Sequence, residues 1–383
     1  LQDKQYLMVP GPTPVPPTVM AAMSRPIGGH RAEEFAQLNK RVVEKLQRVF
    51  QTKNDVFVVT HSGTGALETA IANTVSPGDK VLSLITGNFG ERFANIARAY
   101  GAELIAVEFG WGKDVDLGVV EEKLKEHPDV KVVLATQNET STGVVNDIAG
   151  IGALVAGTPA LLLVDGVSGV GAIEIKVDEW NVDMLCVASQ KALMLPPGLA
   201  FVTASGKAWE VIRENQSPRF YFSMPAHRKS YEKFNTAYTP AVSLFYGLEA
   251  ALDMMLAEGM SNVYARHALL TRATRAAVRE IGLKLLTEDR CASNALTAIW
   301  SPEGIGADEI RKVAKNHYGV AFAGGQGILK GKAMRIAHMG FCDKTDILIA
   351  VGVLEMALAQ VGYPVQLGAG LRAAQEVFLG RRK

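Results

Sequence analysis

The stretch ALLLVDGVSGVG, residues 160–171, places four consecutive apolar residues, Leu161 to Val164, before a single carboxylate, Asp165, and a glycine-rich turn. A half-exposed strand alternates apolar and polar residues. An unbroken apolar run bounded by turn residues reads instead as a strand covered on both faces. The same pattern recurs outward in both directions. DVFVV (55–59), KVLSLI (80–85), ELIAVEF (103–109) and VKVVLAT (130–136) precede it, MLCVAS (184–189) and LAFVTAS (199–205) follow it, and helical segments separate most of these runs. The fold expected from them is α/β, with a mostly parallel central sheet flanked by helices. In such sheets ligand groups belong at the C-terminal ends of the strands, where Asp165 stands.

From Glu33 onward Phe35, Leu38, Val42, Leu46 and Val49 recur every three or four residues, the spacing of an amphipathic helix. Upstream, PGPTPVPP (10–17) can sustain neither a helix nor an interior strand, because proline lacks the amide donor and fixes φ. It is expected as an extended arm on a surface. Beyond about residue 258 the texture changes to one long helical stretch (262–282) and the short strands ALTAIW (295–300) and MRIAHM (334–339). The expected division is an arm (1–20), a large domain (21–258) and a smaller α+β C-terminal domain (259–383).

At 383 residues the chain has length for two cores, and its net charge of +1 gives no electrostatic footprint for nucleic acid or an anionic membrane. The partner expected is a small molecule or another protein. No run approaches the roughly 20 apolar residues that span a bilayer, and the opening LQDKQYLMVPGPTPVPP has no secretory pattern. A soluble, cytoplasmic protein is expected. Cys186, Cys291 and Cys342 are widely spaced, match no metal-ligand pattern and read as packing residues, so no metal is expected.

Three features could carry chemistry. THSGTGALETAIANTV (60–75) sets a glycine-rich turn between a strand and a helix, where the backbone amides of Gly63, Thr64 and Gly65 and the Ser62 hydroxyl could cradle a phosphate. Taken alone it could equally be an ordinary strand-to-helix turn. It is neither a Walker A nor a dinucleotide fingerprint. Asp165, taken alone, is as compatible with a turn or a cap as with a functional acid. Lys191, in VASQKALMLPPG (187–198), lies outside any charge run and is a candidate for a depressed pKa, the alternative being a lysine that snorkels to the surface. Together, a phosphate loop, an acid and an isolated lysine, each following a strand of one domain, are what pyridoxal 5'-phosphate needs.

SQKALMLPPG (189–198), LLLVDGVSGVG (161–171), NETSTGV (138–144), SGTGALE (62–68) and PGPTPVPP (10–17) closely resemble, in order, motifs of the class V, fold-type I aminotransferases. The branch resembled is that of alanine–glyoxylate and serine–glyoxylate aminotransferases. The resemblance implies that Lys191 is the Schiff-base lysine and proton-transfer group and that Asp165 pairs with the pyridine nitrogen. It places Phe89 of GNFGER on the cofactor face, where several relatives have tryptophan. Thr140, where relatives often carry serine, would reach the phenolic oxygen or the substrate. Ser62, Gly63, Thr64 and Gln190 would hold the phosphate, joined by Thr239 from the neighbouring subunit of an obligate homodimer. Arg335 would clamp the substrate carboxylate, with Gly11 of the arm folded over the substrate. Thr236 stands where some relatives have a phosphate-binding tyrosine, and His30, His61 and His338 are taken as structural.

The implied activity is ping-pong transfer of an amino group from alanine or serine to glyoxylate. Aspartate is an alternative donor, for which Arg25, Arg31 or Arg228 could supply a second cation. A desulfurase would need a reactive cysteine, for which only Cys342 in GFCDK is worth testing. A non-catalytic accessory subunit is the remaining alternative.

Overall fold

The computed structural model describes residues 5–382. All seven apolar runs become strands of one sheet, in the spatial order Val56–Val59, Ala200–Thr203, Met184–Ala188, Leu161–Asp165, Val132–Thr136, Lys80–Ile85 and Glu103–Glu108. Ala200–Thr203 runs against both of its neighbours, and every other pairing is parallel.

Side chains of a strand alternate between faces, and the strand Leu161–Asp165 shows what each face meets. Leu162 and Val164 enter a core shared with Val42, Leu46 and Phe50 of the helix Glu33–Phe50 and with Phe245 and Leu248 of the helix Val242–Glu258. Leu161 and Leu163 enter the opposite core, with Leu67 and Ile71 of the helix Gly63–Thr74 and Ile212 of the helix Gly206–Glu214. Each fully buried leucine contributes about 1.5–3 kcal/mol, so neither face tolerates the polar alternation of a half-exposed strand. The edge strand Glu103–Glu108 differs for the same reason: its Glu103, Ala106 and Glu108 are exposed, and charge at an edge discourages pairing with other chains.

A second core surrounds a four-stranded sheet in the order Tyr6–Met8, Val320–Gly324, Ala333–Ala337 and Leu296–Trp300. The helices Met260–Glu280, Ala307–Tyr318, Lys344–Gln360 and Ala369–Phe378 bury their apolar residues against it. Two of its strands do not stand out in the sequence. VAFAG (320–324) is too short and too small in side chains, and Tyr6–Met8 lies just ahead of the proline run. Proline restricts the chain from Pro10 and, through its ring, Val9, so Tyr6–Met8 are free to pair in parallel with Val320–Phe322. From Tyr6 the arm therefore runs from the second sheet to the turn after Met184–Ala188 of the first, where Thr13 meets Gln190 and Lys191. Among the described residues no helix is long and apolar enough to cross a membrane.

Candidate active site

Asp165 ends its strand in register with Thr136 and Cys186, at the C-terminal edge of the large sheet. Its side chain is only 4% exposed, and Oδ1 accepts the Val167 N–H at 2.9 Å. Burial pushes its pKa up from 3.8 to about 7; the Val167 N–H opposes the rise, the Glu139 charge adds to it, and Lys191 and Arg92 oppose it.

Lys191 follows the neighbouring strand Met184–Ala188, in a turn closed by the Leu195 N–H donating to Ser189 O at 3.2 Å and by Ser189 Oγ donating to Pro196 O at 2.7 Å. The arm lies directly on this turn. Thr13 N–H donates to Gln190 O at 3.2 Å, Thr13 Oγ1 donates to Lys191 O at 2.8 Å, and Lys191 Nζ donates to Pro10 O. Gly11 sits at φ +128°, and a methyl group there would lie 2.3 Å from Lys191 Nζ. Only glycine combines that backbone geometry with that approach. Burial pulls the lysine pKa from 10.5 down to about 8; the Arg335 charge lowers it, Asp165 raises it and Arg92 lowers it. A lysine so placed is substantially neutral near pH 8, and is then both nucleophile and base.

Ser62 caps the helix Gly63–Thr74, its Oγ accepting the Gly65 N–H at 3.4 Å. The first amides of a helix have no partner within it, so with the helix dipole this end suits an anion. A Cβ on Gly63 would fall 2.9 Å from Val167 and 3.1 Å from Ala188, so the loop after Asp165 is packed against the glycine turn. Gln190 adds a buried Oε1 that has no hydrogen-bond partner.

Phe89 is set by a carboxylate that the sequence reading passed over. Glu139 is fully buried; its Oε2 accepts the Phe89 and Gly90 N–H groups at 3.0 Å each, and its Oε1 accepts the Ser141 N–H at 3.0 Å and Oγ at 2.6 Å. It caps the helix Asn88–Ala99, where a negative charge meets the positive end of the helix, and so fixes the ring of Phe89. Arg92 lies one turn on, its guanidinium 4.8 Å from the Phe89 ring centre and its Nη1 3.5 Å from Thr64 Oγ1.

Arg335 reaches across from the strand Ala333–Ala337 and is 5% exposed. Its Nε and Nη2 donate to Gly324 O at 3.0 and 2.7 Å, and its Nη1 donates to Thr140 O at 2.8 Å and Gln326 Oε1 at 3.4 Å. Among the described residues no carboxylate pairs with it, and burial pulls its pKa down to about 10. Thr140 Oγ1 donates to Ser168 Oγ at 2.6 Å, and Ser168 Oγ in turn donates to Asn138 O at 2.9 Å.

Lys191, Asp165, Arg335 and Arg92 thus lie close enough for their charges to act on one another; Thr140 joins them through Arg335 and Gly11 through Lys191, while Thr64 and Phe89 are linked through Arg92 and Gly63 through Val167 beside Asp165. Thr239 is exposed and has no hydrogen bond to any of them within the chain. Thr236 is buried and donates from Oγ1 to Tyr238 O at 2.7 Å. His61 and His338 are neutral, pushed by burial to about 4 and about 3, and His338 is enclosed by Thr297 and Asn294. Arg92 and Glu139 were missed. The signal for Arg92 was its i,i+3 spacing from Phe89, which puts both on one helix face. Glu139 stood inside a quoted motif, but nothing in the sequence shows which amides it meets.

The residues present fit pyridoxal 5'-phosphate. They offer an amine held near neutrality, a buried carboxylate without an ion-pair partner among the described residues that suits a protonated ring nitrogen, and a helix start whose first amides suit an anion. Fold and site together define an enzyme that exchanges amino groups through an aldehyde cofactor. The family described as aminotransferase class-V matches residues 5–340, and the chain belongs to that family. It is a fold-type I, pyridoxal-phosphate-dependent aminotransferase. It is 42% identical to the small subunit of a soluble hydrogenase of a Synechococcus strain, over 99% of both chains. It is 41% identical to the L-aspartate–glyoxylate aminotransferase of Paracoccus denitrificans, over 99% of this chain and 97% of the relative. The crystal structure of ureidoglycine–glyoxylate aminotransferase from Bacillus subtilis superposes with a TM-score of 0.94 at 30% identity, covering 98% of each chain.

Proposed function

We propose that the protein is a homodimeric, cytoplasmic aminotransferase that takes the amino group of alanine or serine and passes it to glyoxylate in a ping-pong cycle. The observation that carries this reading is the buried Arg335 guanidinium, bonded to carbonyl oxygens and, among the described residues, in direct ion pair with no carboxylate, the charge of Glu139 acting on it only from a distance. Such a group is costly to bury unless an anion completes it, and its planar fork matches an α-carboxylate. Names of two similar proteins, an aspartate–glyoxylate and a ureidoglycine–glyoxylate aminotransferase, support glyoxylate as acceptor.

When bound, pyridoxal phosphate supplies an aldehyde for amine exchange and a protonated ring that accepts the electrons of a carbon–hydrogen bond. The chain does the rest. Asp165 would keep a proton on the ring nitrogen, Phe89 would pack against the ring, and Ser62, Gly63, Thr64 and Gln190 would hold the phosphate. Arg335 and Thr140 orient the substrate so that its α-hydrogen faces Lys191, whose Nζ removes the proton and returns it. The Pro10–Thr13 arm shields that amine from water.

The choice of a monocarboxylic donor rests on the cations. Arg31 donates to Thr236 O, Arg25 lies over Tyr246 and Arg228 lies over Trp209, so none is tied to the Lys191 crevice within one chain. Aspartate remains the alternative donor, with a cation brought by a second subunit. Exposed Ile27, Phe220 and Tyr221, with Tyr238 stacked on Tyr221 at 5.1 Å, support the dimer, as does the exposed Thr239. Three free, buried cysteines suit a reducing compartment. Cys342 is buried and its thiol is pushed well up by burial, which weighs against a desulfurase. The hydrogenase relative bears on an accessory role, but Lys191, Asp165 and Arg335 are all in place.

Arg335→Lys keeps the charge and loses the fork. KM for the amino donor and for glyoxylate is expected to rise together by about 10- to 100-fold, the value of a charge-assisted pair, with kcat changed less. Unaltered KM for both in steady-state kinetics would remove Arg335 from the substrate site.

A further inference from the structure

The groups proposed above to hold the phosphate, Ser62, Gly63, Thr64, Gln190 and Thr239, are all neutral. A phosphate monoester carries about −1.5 to −2 charges at pH 7, and an anion taken from water into a protein needs a compensating charge as well as hydrogen bonds. One cation stands at the edge of the helix start that those groups surround. Arg92 Nη1 lies 3.5 Å from Thr64 Oγ1, and the guanidinium is spread over the Phe89 ring at 4.8 Å.

Three features mark Arg92 as a residue with a ligand still to meet. It is half-buried, and among the described residues no carboxylate forms an ion pair with it. Two carboxylates on neighbouring elements are committed elsewhere: Glu68 Oε1 accepts the Tyr100 hydroxyl at 3.0 Å, and both oxygens of Glu139 accept from backbone amides and Ser141. The Arg92 charge also acts on both Asp165 and Lys191, lowering the pKa of each.

The local fold explains why it points there. Phe89 and Arg92 are i,i+3 on the helix Asn88–Ala99, so one helix face presents a ring and a cation side by side, and Glu139 pins the turn that carries both. Resting on the cofactor site proposed above, we infer that Arg92 is the counter-charge of the cofactor's phosphate, aimed at it by stacking on Phe89 and by the Thr64 hydroxyl. The same helix turn would then bind the cofactor at both its ring and its phosphate.

The test separates phosphate from ring. Cofactor-free full-length protein is prepared as wild type, Arg92→Gln and Arg92→Lys, with folding checked by circular dichroism. Dissociation constants are measured by tryptophan-fluorescence quenching for pyridoxal phosphate and for pyridoxal, which lacks the phosphate. Arg92→Gln is expected to weaken pyridoxal phosphate by about 10- to 100-fold while leaving pyridoxal unchanged, and Arg92→Lys to recover part of the loss. Inorganic phosphate should compete with pyridoxal phosphate on the wild type and much less on Arg92→Gln. An equal loss for both ligands would reduce Arg92 to support for Phe89 and overturn the inference. So would unchanged cofactor affinity combined with a raised KM for aspartate, which would make Arg92 a receptor for a donor side chain. Failure of the wild type to bind pyridoxal phosphate would instead overturn the cofactor site itself.

Discussion

Lys191→Ala is expected to lower kcat for amine transfer by about a thousandfold or more, with little change in circular dichroism. The other cationic side chains near it, Arg335 and Arg92, are guanidinia engaged with Gly324 O, Thr140 O and the Thr64 hydroxyl. Lys191 is the one amine there, and its environment already favours the neutral form, at a pKa of about 8. The substrate carboxylate is proposed to bind at Arg335 and not at the lysine, so KM should move far less than kcat. Single-turnover kinetics on the reconstituted variant checks this, and a variant retaining a tenth of wild-type turnover would exclude Lys191 as the proton-transfer group.

The second large effect is at Asp165. Asp165→Asn keeps the acceptor for the Val167 N–H but loses the charge proposed to hold a proton on the ring nitrogen, and kcat should fall by about a hundredfold or more. The same substitution has an opposite effect on the cofactor-free protein. Asp165 has its pKa raised from 3.8 to about 7 in the folded state, so between those values the folded chain holds a proton that the unfolded chain has released. Stability therefore falls as pH rises across that window, and above it the full cost of the buried charge is present. Asparagine carries no such cost. Cofactor-free Asp165→Asn should melt higher than wild type at pH 8, with the difference shrinking as pH falls toward 4. Lys191 acts in a different window with the opposite sign. Its pKa is lowered from 10.5 to about 8, so stability rises with pH between those values. Thermal melts of both cofactor-free proteins across pH separate the two groups, and an Asp165→Asn variant that melts lower than wild type at pH 8 would mean that its carboxylate is stabilised in place.

The large sheet was legible because burial on both faces leaves a mark in every residue of a strand. LLLVD and MLCVA have no polar position before their ends, and the seven runs became its seven strands. The second sheet was half legible. ALTAIW and MRIAHM carry β-forming residues, whereas VAFAG depends on Tyr6–Met8 and on Ala323 facing Arg335 for its place. The gathering of Lys191, Asp165 and the glycine turn follows from each standing after a strand of one parallel sheet, so their adjacency could be argued before any coordinates. Contacts made across segments could not. That Glu139 grips the amides of Phe89 and Gly90, that Gly11 rests on the Lys191 amine, and that Arg92 lacks an acid depend on side-chain directions that a linear pattern does not encode.

The most direct test is the visible spectrum of the protein reconstituted with pyridoxal phosphate, recorded after L-alanine, L-serine and L-aspartate separately and then after glyoxylate. The account predicts a visible cofactor band that alanine or serine removes and glyoxylate restores, with aspartate much slower. A protein that takes up no cofactor, or a band that no donor changes, would contradict it.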